Sequence, residues 1–343
     1  MSEENCKYHI FKYNQAFRLE FGDFLPEFQL NYTTFGSLNA QKDNVVWVCH
    51  AFTGNPNPSE WWDGLIGNDK LFNPKEHFIV CANIIGSHYG STNPLSPNPL
   101  SDDQAPYFHN FPFISIRDVV RTMDLLRIDL GISKIKVLLG GSLGGQQALE
   151  WSIICPDLIE NMILFSTNAV HSPWGIAFNE SQRMAIELDP SWKTSTPTSG
   201  MSGMAVARSI ALLSYRNYAL YDRTQARSEG QVDFFRASTY QQYQGEKLQK
   251  RFNAYSYWTL TKMFDSHDVG RNRGGLEKAL QQVQAKTLVI GISSDLLIPP
   301  EEQEFIAKNI PNARYELIDS MYGHDGFLIE FVVLSDKIKN FLD

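Results

Sequence analysis

The sequence predicts an α/β fold, a mostly parallel, doubly wound sheet with a helical insertion, and three observations predict it. Short apolar runs alternate with helical periodicity through the first half of the chain. The strand signature then vanishes from about Asn168 to Gln284, where the chain turns helical, aromatic and glutamine-rich. It returns at KTLVIGISSD (286–295) and RYELID (314–319). Strand–helix alternation favours parallel strands joined by crossover helices.

Taken in order, FRLEF and FQLNYTTFG predict an opening antiparallel hairpin. NVVWVC (44–49), HFIVCAN (77–83), KIKVLLG (134–140) and NMILFS (161–166) are compact apolar runs bounded by polar residues, Gly or Pro. Such runs fit strands buried on both faces of a parallel sheet. Ile116, Val119, Val120, Met123, Leu126 and Leu130 recur at helical intervals, and Gly131 follows as a C-cap. The expected organisation is one α/β core in two parts, 1–167 and 285–343, interrupted by a helical lid insertion, 168–284.

Bulk composition narrows the function. The chain has 343 residues, 43% hydrophobic and 20% charged, which is ordinary for a soluble globular protein. A net charge of −8 argues against a broad nucleic-acid or anionic-membrane surface, while leaving room for a local basic cleft. The four cysteines form no CxxC pair and show no metal-site spacing, and Cys49 and Cys81 lie in apolar strand runs as small core residues. MSEENCKYHIF lacks the apolar core of a signal peptide, and no apolar stretch approaches the ~18 residues that span a bilayer. The expected location is the cytoplasm.

The sharpest chemical signal is Gly140-Gly141-Ser142-Leu143-Gly144-Gly145, which follows the strand KIKVLLG and precedes the helical run QQALEWSII. This is a G-x-S-x-G nucleophile elbow between a strand and a helix. The turn needs small residues because strand and helix pack closely, and the helix N-terminus brings backbone N–H groups beside the serine. Asp295 follows the strand of GISSDLLIPP, and His324 lies in SMYGHDGFL after the final strand, between Gly323 and Gly326. An isolated loop aspartate is ordinarily structural. The order Ser142, Asp295, His324 is that of the α/β-hydrolase fold, with histidine as base and aspartate orienting it. Leu143 N–H is one candidate oxyanion donor, and Thr53 N–H, in the loop His50-Ala51-Phe52-Thr53-Gly54-Asn55, is the second. With the base assigned, His50 and His88 read as structural.

Nearly end to end, the chain resembles the homoserine O-acetyltransferase family. The similar segments are HAFTGN (50–55), NIIGSHYGST (83–92), FPFISIRDVV (111–120), GGSLGGQQALEW (140–151), SSDLLIPPEE (293–302) and GHDGFL (323–328). VARSIALLSYR (206–216) and YQGEKLQKRFNAYSYWTLTKMFD (243–265), inside the insertion, discriminate more sharply. The resemblance implies a Ser142–Asp295–His324 triad, oxyanion donors at Thr53 and Leu143, Arg208 holding the amino-acid carboxylate and Asp325 holding its ammonium. It further implies ping-pong acetyl transfer from acetyl-CoA, a co-substrate, to L-homoserine on the way to methionine. No resident cofactor or metal is implied, and the expected assembly is a homodimer formed through the lid.

Two segments depart from the family pattern. GSHYGST stands where relatives carry Gly-Gly-Cys/Ser-x-Gly, and RFNAYSY has Asn253 and Tyr255 where they usually have Asp and Asn. These positions leave open a serine acceptor or a succinyl donor. A serine esterase or hydrolase would use the same triad, although it would not need the paired recognition of Arg208 and Asp325.

Overall fold

The structure, a computed structural model, describes residues 6–343. Its centre is an eight-stranded sheet. We number the strands β1 (Lys7–Tyr13), β2 (Phe28–Phe35), β3 (Val45–Cys49), β4 (Phe78–Ala82), β5 (Ile135–Gly141), β6 (Ile159–Phe165), β7 (Lys286–Ile292) and β8 (Ala313–Ile318). The spatial order is β1-β2-β4-β3-β5-β6-β7-β8. Pairing is parallel from β4 to β8, whereas β2 runs antiparallel to both of its neighbours. β3 is buried at every position, as a strand covered on both faces must be.

The opening differs from the sequence expectation. FQLNYTTF pairs with Lys7–Tyr13, with Phe11 opposite Leu30, and not with FRLEF. FRLEF contributes only Phe17–Arg18 to a separate two-residue pairing with Phe24–Leu25. The chain turns back between them, with Leu19 N–H bonded to Asp23 O and Gly22 at φ +95°. β1 is a half-exposed edge strand whose Tyr, Ile and Phe residues are interspersed with Lys and His and form no continuous apolar run.

Nine helices matter to the argument: α1 (Ile116–Asp129), α2 (Leu143–Ile154), α3 (Pro173–Glu187), α4 (Met201–Tyr215), α5 (Tyr218–Thr224), α6 (Arg236–Gln249), α7 (Ala254–Asp265), α8 (Pro300–Asn309) and α9 (Phe331–Leu342). At the start of α1, Ser115 accepts from the Asp118 N–H while the Asp118 side chain accepts from the Ser115 N–H. Its end is marked by Gly131 at φ +66°. α3 to α7 all lie between β6 and β7, and α3 packs on α4 and α7. Among the described residues, no helix is long and apolar enough to cross a membrane.

Two clusters of apolar side chains, one built around Trp47, Trp151 and Val119 and the other around Trp62, Phe165 and Phe327, flank the sheet. The carboxyl ends of β3, β5, β7 and β8 lead into the loops that carry Thr53, Ser142, Asp295 and His324. In parallel α/β sheets, ligands bind at this end of the strands.

Candidate active site

Ser142 sits at the junction of β5 and α2 with φ 55° and ψ −125°, a backbone conformation that L-residues rarely adopt. Its surroundings hold it there. Ser142 N–H donates to Phe165 O at 2.9 Å, and Ser142 O accepts from Gly145 N–H at 2.9 Å and from Thr167 Oγ1 at 2.8 Å. A Cβ on Gly144 would lie 2.1 Å from Cys49 O, and one on Gly140 would lie 2.3 Å from Gly144 O. Strand and helix can meet at this angle only if both positions are glycine. Leu143 is the first residue of α2, so its N–H has no intrahelical acceptor and is available beside Ser142.

Asp295 and His324 are joined by a 2.7 Å bond between Oδ2 and Nδ1. The other carboxylate oxygen of Asp295 accepts the N–H groups of Leu297 and Ile298 at 2.9 and 3.0 Å, which fixes the aspartate's orientation. An ionised carboxylate only accepts, so Nδ1 carries the proton and Nε2 is left without one. Burial alone would push the His324 pKa down; the charge and hydrogen bond of Asp295 outweigh it and hold the pKa above the ordinary histidine value. Gly323 turns the loop at φ +65° and lies against the end of α4, where a Cβ would come within 2.8 Å of Tyr215 O.

Ser142, His324, Thr53, Arg208 and Asp325 all line one cavity of roughly 650 Å³ between the sheet and the helices of 168–284. Arg208, on α4, makes no hydrogen bond or ion pair among the described residues. Its guanidinium lies 5.4 Å from the centre of the Tyr215 ring, and that ring is 5.8 Å from His324. Asp325 is paired: Arg216 Nη1 donates to its Oδ2 at 3.0 Å. Sequence reasoning gave Arg216 no role, although it stands two helical turns after Arg208 in VARSIALLSYR. Lys247 and Arg251, on and just after α6, add two more cations to the cavity wall and were likewise missed.

The two spare histidines act as scaffolding. His50 is fully buried, and burial lowers its pKa to about 4. Its Nε2 accepts from Ile84 N–H at 3.1 Å, and its Nδ1 donates to Ala51 O at 2.9 Å. His88 Nδ1 lies 3.1 Å from Asn253 Nδ2, so the departures in GSHYGST and RFNAYSY touch each other. Asn253 Nδ2 donates to His88 in the tautomer whose Nδ1 is unprotonated. Asn253 also caps α7 by accepting from Ser256 N–H. No group of three or more His, Cys, Asp or Glu side chains among the described residues is arranged to hold a metal ion.

Comparison with known proteins gives this geometry its context. The family model of the alpha/beta hydrolase fold matches residues 44–331. A homoserine O-acetyltransferase of Cyclobacterium marinum is 51% identical over 97% of this chain and 94% of its own length. The crystal structure of homoserine O-acetyltransferase from Bacillus anthracis superposes with a TM-score of 0.91 at 25% identity, covering 99% of this chain and 98% of that one. Esterase E22 has a TM-score of 0.90 at 21% identity, covering 98% of this chain and 100% of its own, a likeness of fold alone. The near full-length match to the Cyclobacterium protein decides between these neighbours: the chain belongs to the homoserine O-acetyltransferase family of α/β-hydrolase-fold proteins.

Proposed function

We propose that this protein transfers the acetyl group of acetyl-CoA to the γ-hydroxyl of L-homoserine through an acetyl-Ser142 intermediate. The observation that carries the reading is a single cavity containing Ser142, the Asp295-bound His324 and the unpaired cation of Arg208. His324 Nε2 takes the Ser142 proton as Oγ attacks the thioester carbonyl. The N–H groups of Leu143 and Thr53 stabilise the oxyanion, which collapses to expel CoA thiolate. The thiolate takes the proton from His324. Homoserine then enters, His324 accepts its hydroxyl proton as the oxygen attacks the acetyl carbonyl, and collapse breaks the bond to Ser142 Oγ, which takes the proton back from His324.

Arg208 binds the homoserine carboxylate as a planar two-pronged donor, and Asp325 receives the ammonium on the face that Arg216 leaves free. Arg216 in this reading orients Asp325. The helices of 168–284 act as a lid that limits attack by water on the acyl-enzyme. Exposed Val206, Leu213, Tyr218, Val232 and Phe234, all within that segment, support a homodimer formed through it. Acetyl-CoA as donor is consistent with a cytoplasmic location.

The test follows CoA release from acetyl-CoA, with L-homoserine, L-serine or no acceptor. Release that requires homoserine and disappears in Ser142→Ala is expected. Release indifferent to the acceptor would overturn transfer in favour of hydrolysis.

A further inference from the structure

The helical segment reaches the reacting centre at a second point besides Arg208. Arg251 follows α6 in a turn closed by its N–H on Leu248 O. Its side chain crosses to the loop after β3. Nη1 donates to Thr53 O at 2.8 Å and to the Tyr89 hydroxyl at 2.6 Å, and Nη2 lies 3.4 Å from Thr53 Oγ1. Both Nη1 hydrogens are thereby committed within the protein. Phe252, the next residue, packs against Tyr89 and Tyr257, and Tyr257 meets Phe52 edge-on at 4.7 Å. The arginine is thus anchored by an aromatic cluster that also touches the residue before Thr53.

The geometry of Thr53 gives these contacts a consequence. The α-carbon of an L-residue has a fixed arrangement of its nitrogen, carbonyl carbon and Cβ. A guanidinium that holds the carbonyl and side-chain oxygens limits ψ and χ1 of Thr53, and Gly54 N–H, bonded to Ala51 O at 2.9 Å, closes the turn around the peptide that carries the Thr53 N–H, so together these contacts restrict its direction. We infer that Arg251 is a positioning residue: it aims the Thr53 N–H at the oxyanion formed on the Ser142 adduct, and it makes that aim depend on the helical segment being docked on the core. The inference rests on the proposed role of Thr53 N–H as an oxyanion donor. Arg251 does not touch substrate in this account, and its effect falls on acylation and deacylation alike.

The experiment compares Arg251→Ala, Arg251→Lys and Tyr89→Phe with the wild type. Two donors are used, acetyl-CoA and p-nitrophenyl acetate, which has neither phosphate nor pantetheine. Oxyanion misalignment of this kind predicts a fall of about 10²-fold in the acylation rate of Arg251→Ala with both donors. KM for acetyl-CoA should stay within about twofold of the wild type. Lysine, whose ammonium keeps the charge but lacks the planar two-nitrogen fork, recovers part of the rate, and Tyr89→Phe shows a smaller loss with both donors. Should Arg251→Ala fail to fold, the lysine and phenylalanine variants carry the same comparison. A raised KM for acetyl-CoA with unchanged acylation by p-nitrophenyl acetate would overturn the inference and make Arg251 a donor-binding cation. Unchanged rates in all three variants would also overturn it. Failure of the underlying reading looks different: the wild type itself would give no burst of p-nitrophenol and no acetylated Ser142.

Discussion

The sheet-borne and helix-borne walls of the cavity are held in place by different means. Ser142, Asp295 and His324 are 4%, 5% and 3% exposed, and backbone hydrogen bonds at strand ends fix each loop that carries them. Across the cavity, Arg208 is restrained only by an aromatic face, and Asp325, on the core side, takes its orientation from Arg216 at the end of α4. Outward-facing Val232 and Phe234 are 88% and 84% exposed. The rigid wall suits chemistry, which tolerates little displacement, and the more open wall suits choice of substrate. Esterase E22 and the Bacillus anthracis acetyltransferase superpose on this chain equally well, so the shared fold does not select the acceptor.

Removing the Ser142 hydroxyl is the strongest way to probe the contrast. Under the proposed function, Ser142→Ala should reduce kcat by about 10⁶-fold, read by CoA release, and abolish acetylation detected by mass spectrometry. Substantial residual transfer would mean that the core wall does not carry the chemistry. Asp295→Asn should cost about 10⁴-fold, because the amide no longer enforces the tautomer with Nε2 free.

The same variant tests the electrostatics. His324 must be neutral to take a proton, and its pKa is raised in the folded protein, so activity is lost as pH falls through that raised value. In Asp295→Asn, burial and the weaker pull of Asp325 remain, and the acid limb of the kcat/KM profile should move to lower pH. A limb that stays in place would assign it to another group.

On the opposite wall, Arg208→Ala should raise KM for L-homoserine about 10- to 100-fold and leave acylation by p-nitrophenyl acetate intact. Equal loss in both assays would remove the distinction between the walls.

The seam between them is electrostatic. Glu150, on α2 and 1% exposed, accepts from Arg117 on α1 and from Arg273, near the point where the chain returns to the sheet. Glu20 joins Arg117 to Arg271 at 3.0 and 3.1 Å. Glu150→Gln keeps the volume and leaves Arg273 without a carboxylate while Arg117 retains Glu20, so it should cost about 2 kcal/mol of unfolding free energy in a urea titration. The activity of the folded fraction should hold, since no member of the network lines the cavity. Loss of activity without loss of stability would mean that the seam tunes the site.

Much of this was legible in the residues. β3 to β7 are apolar runs buried at all positions but at most one, and the sequence placed all of them; β8, where only Ile318 is buried, was placed as RYELID. The elbow was legible because the glycines it demands sit within two residues of Ser142 in the chain, although one of the contacts that demands them, Gly144 against Cys49 O, is long-range. The edge strand β1 escaped because a half-exposed strand needs little apolar patterning, and Gly22 turns FRLEF away from the strand it was expected to form. Arg216 and Arg251 escaped because an arginine just past a helix end is most often solvated, and nothing in the local sequence distinguishes one that reaches another loop.

By itself, then, the sequence determined the alternation of strands and helices and the glycine-flanked serine turn, which follow from burial periodicity and from small residues placed side by side, and it displayed Ser142, Asp295 and His324 in the chain order of the α/β-hydrolase fold. Tertiary structure alone decided that Arg216 holds Asp325, that Arg251 holds Thr53, and that His88 meets Asn253. Those contacts join residues that are 109, 198 and 165 positions apart (325 − 216, 251 − 53 and 253 − 88). Their partners are set by how the helices of 168–284 pack back over the sheet, and no repeat or propensity within a single segment encodes that path.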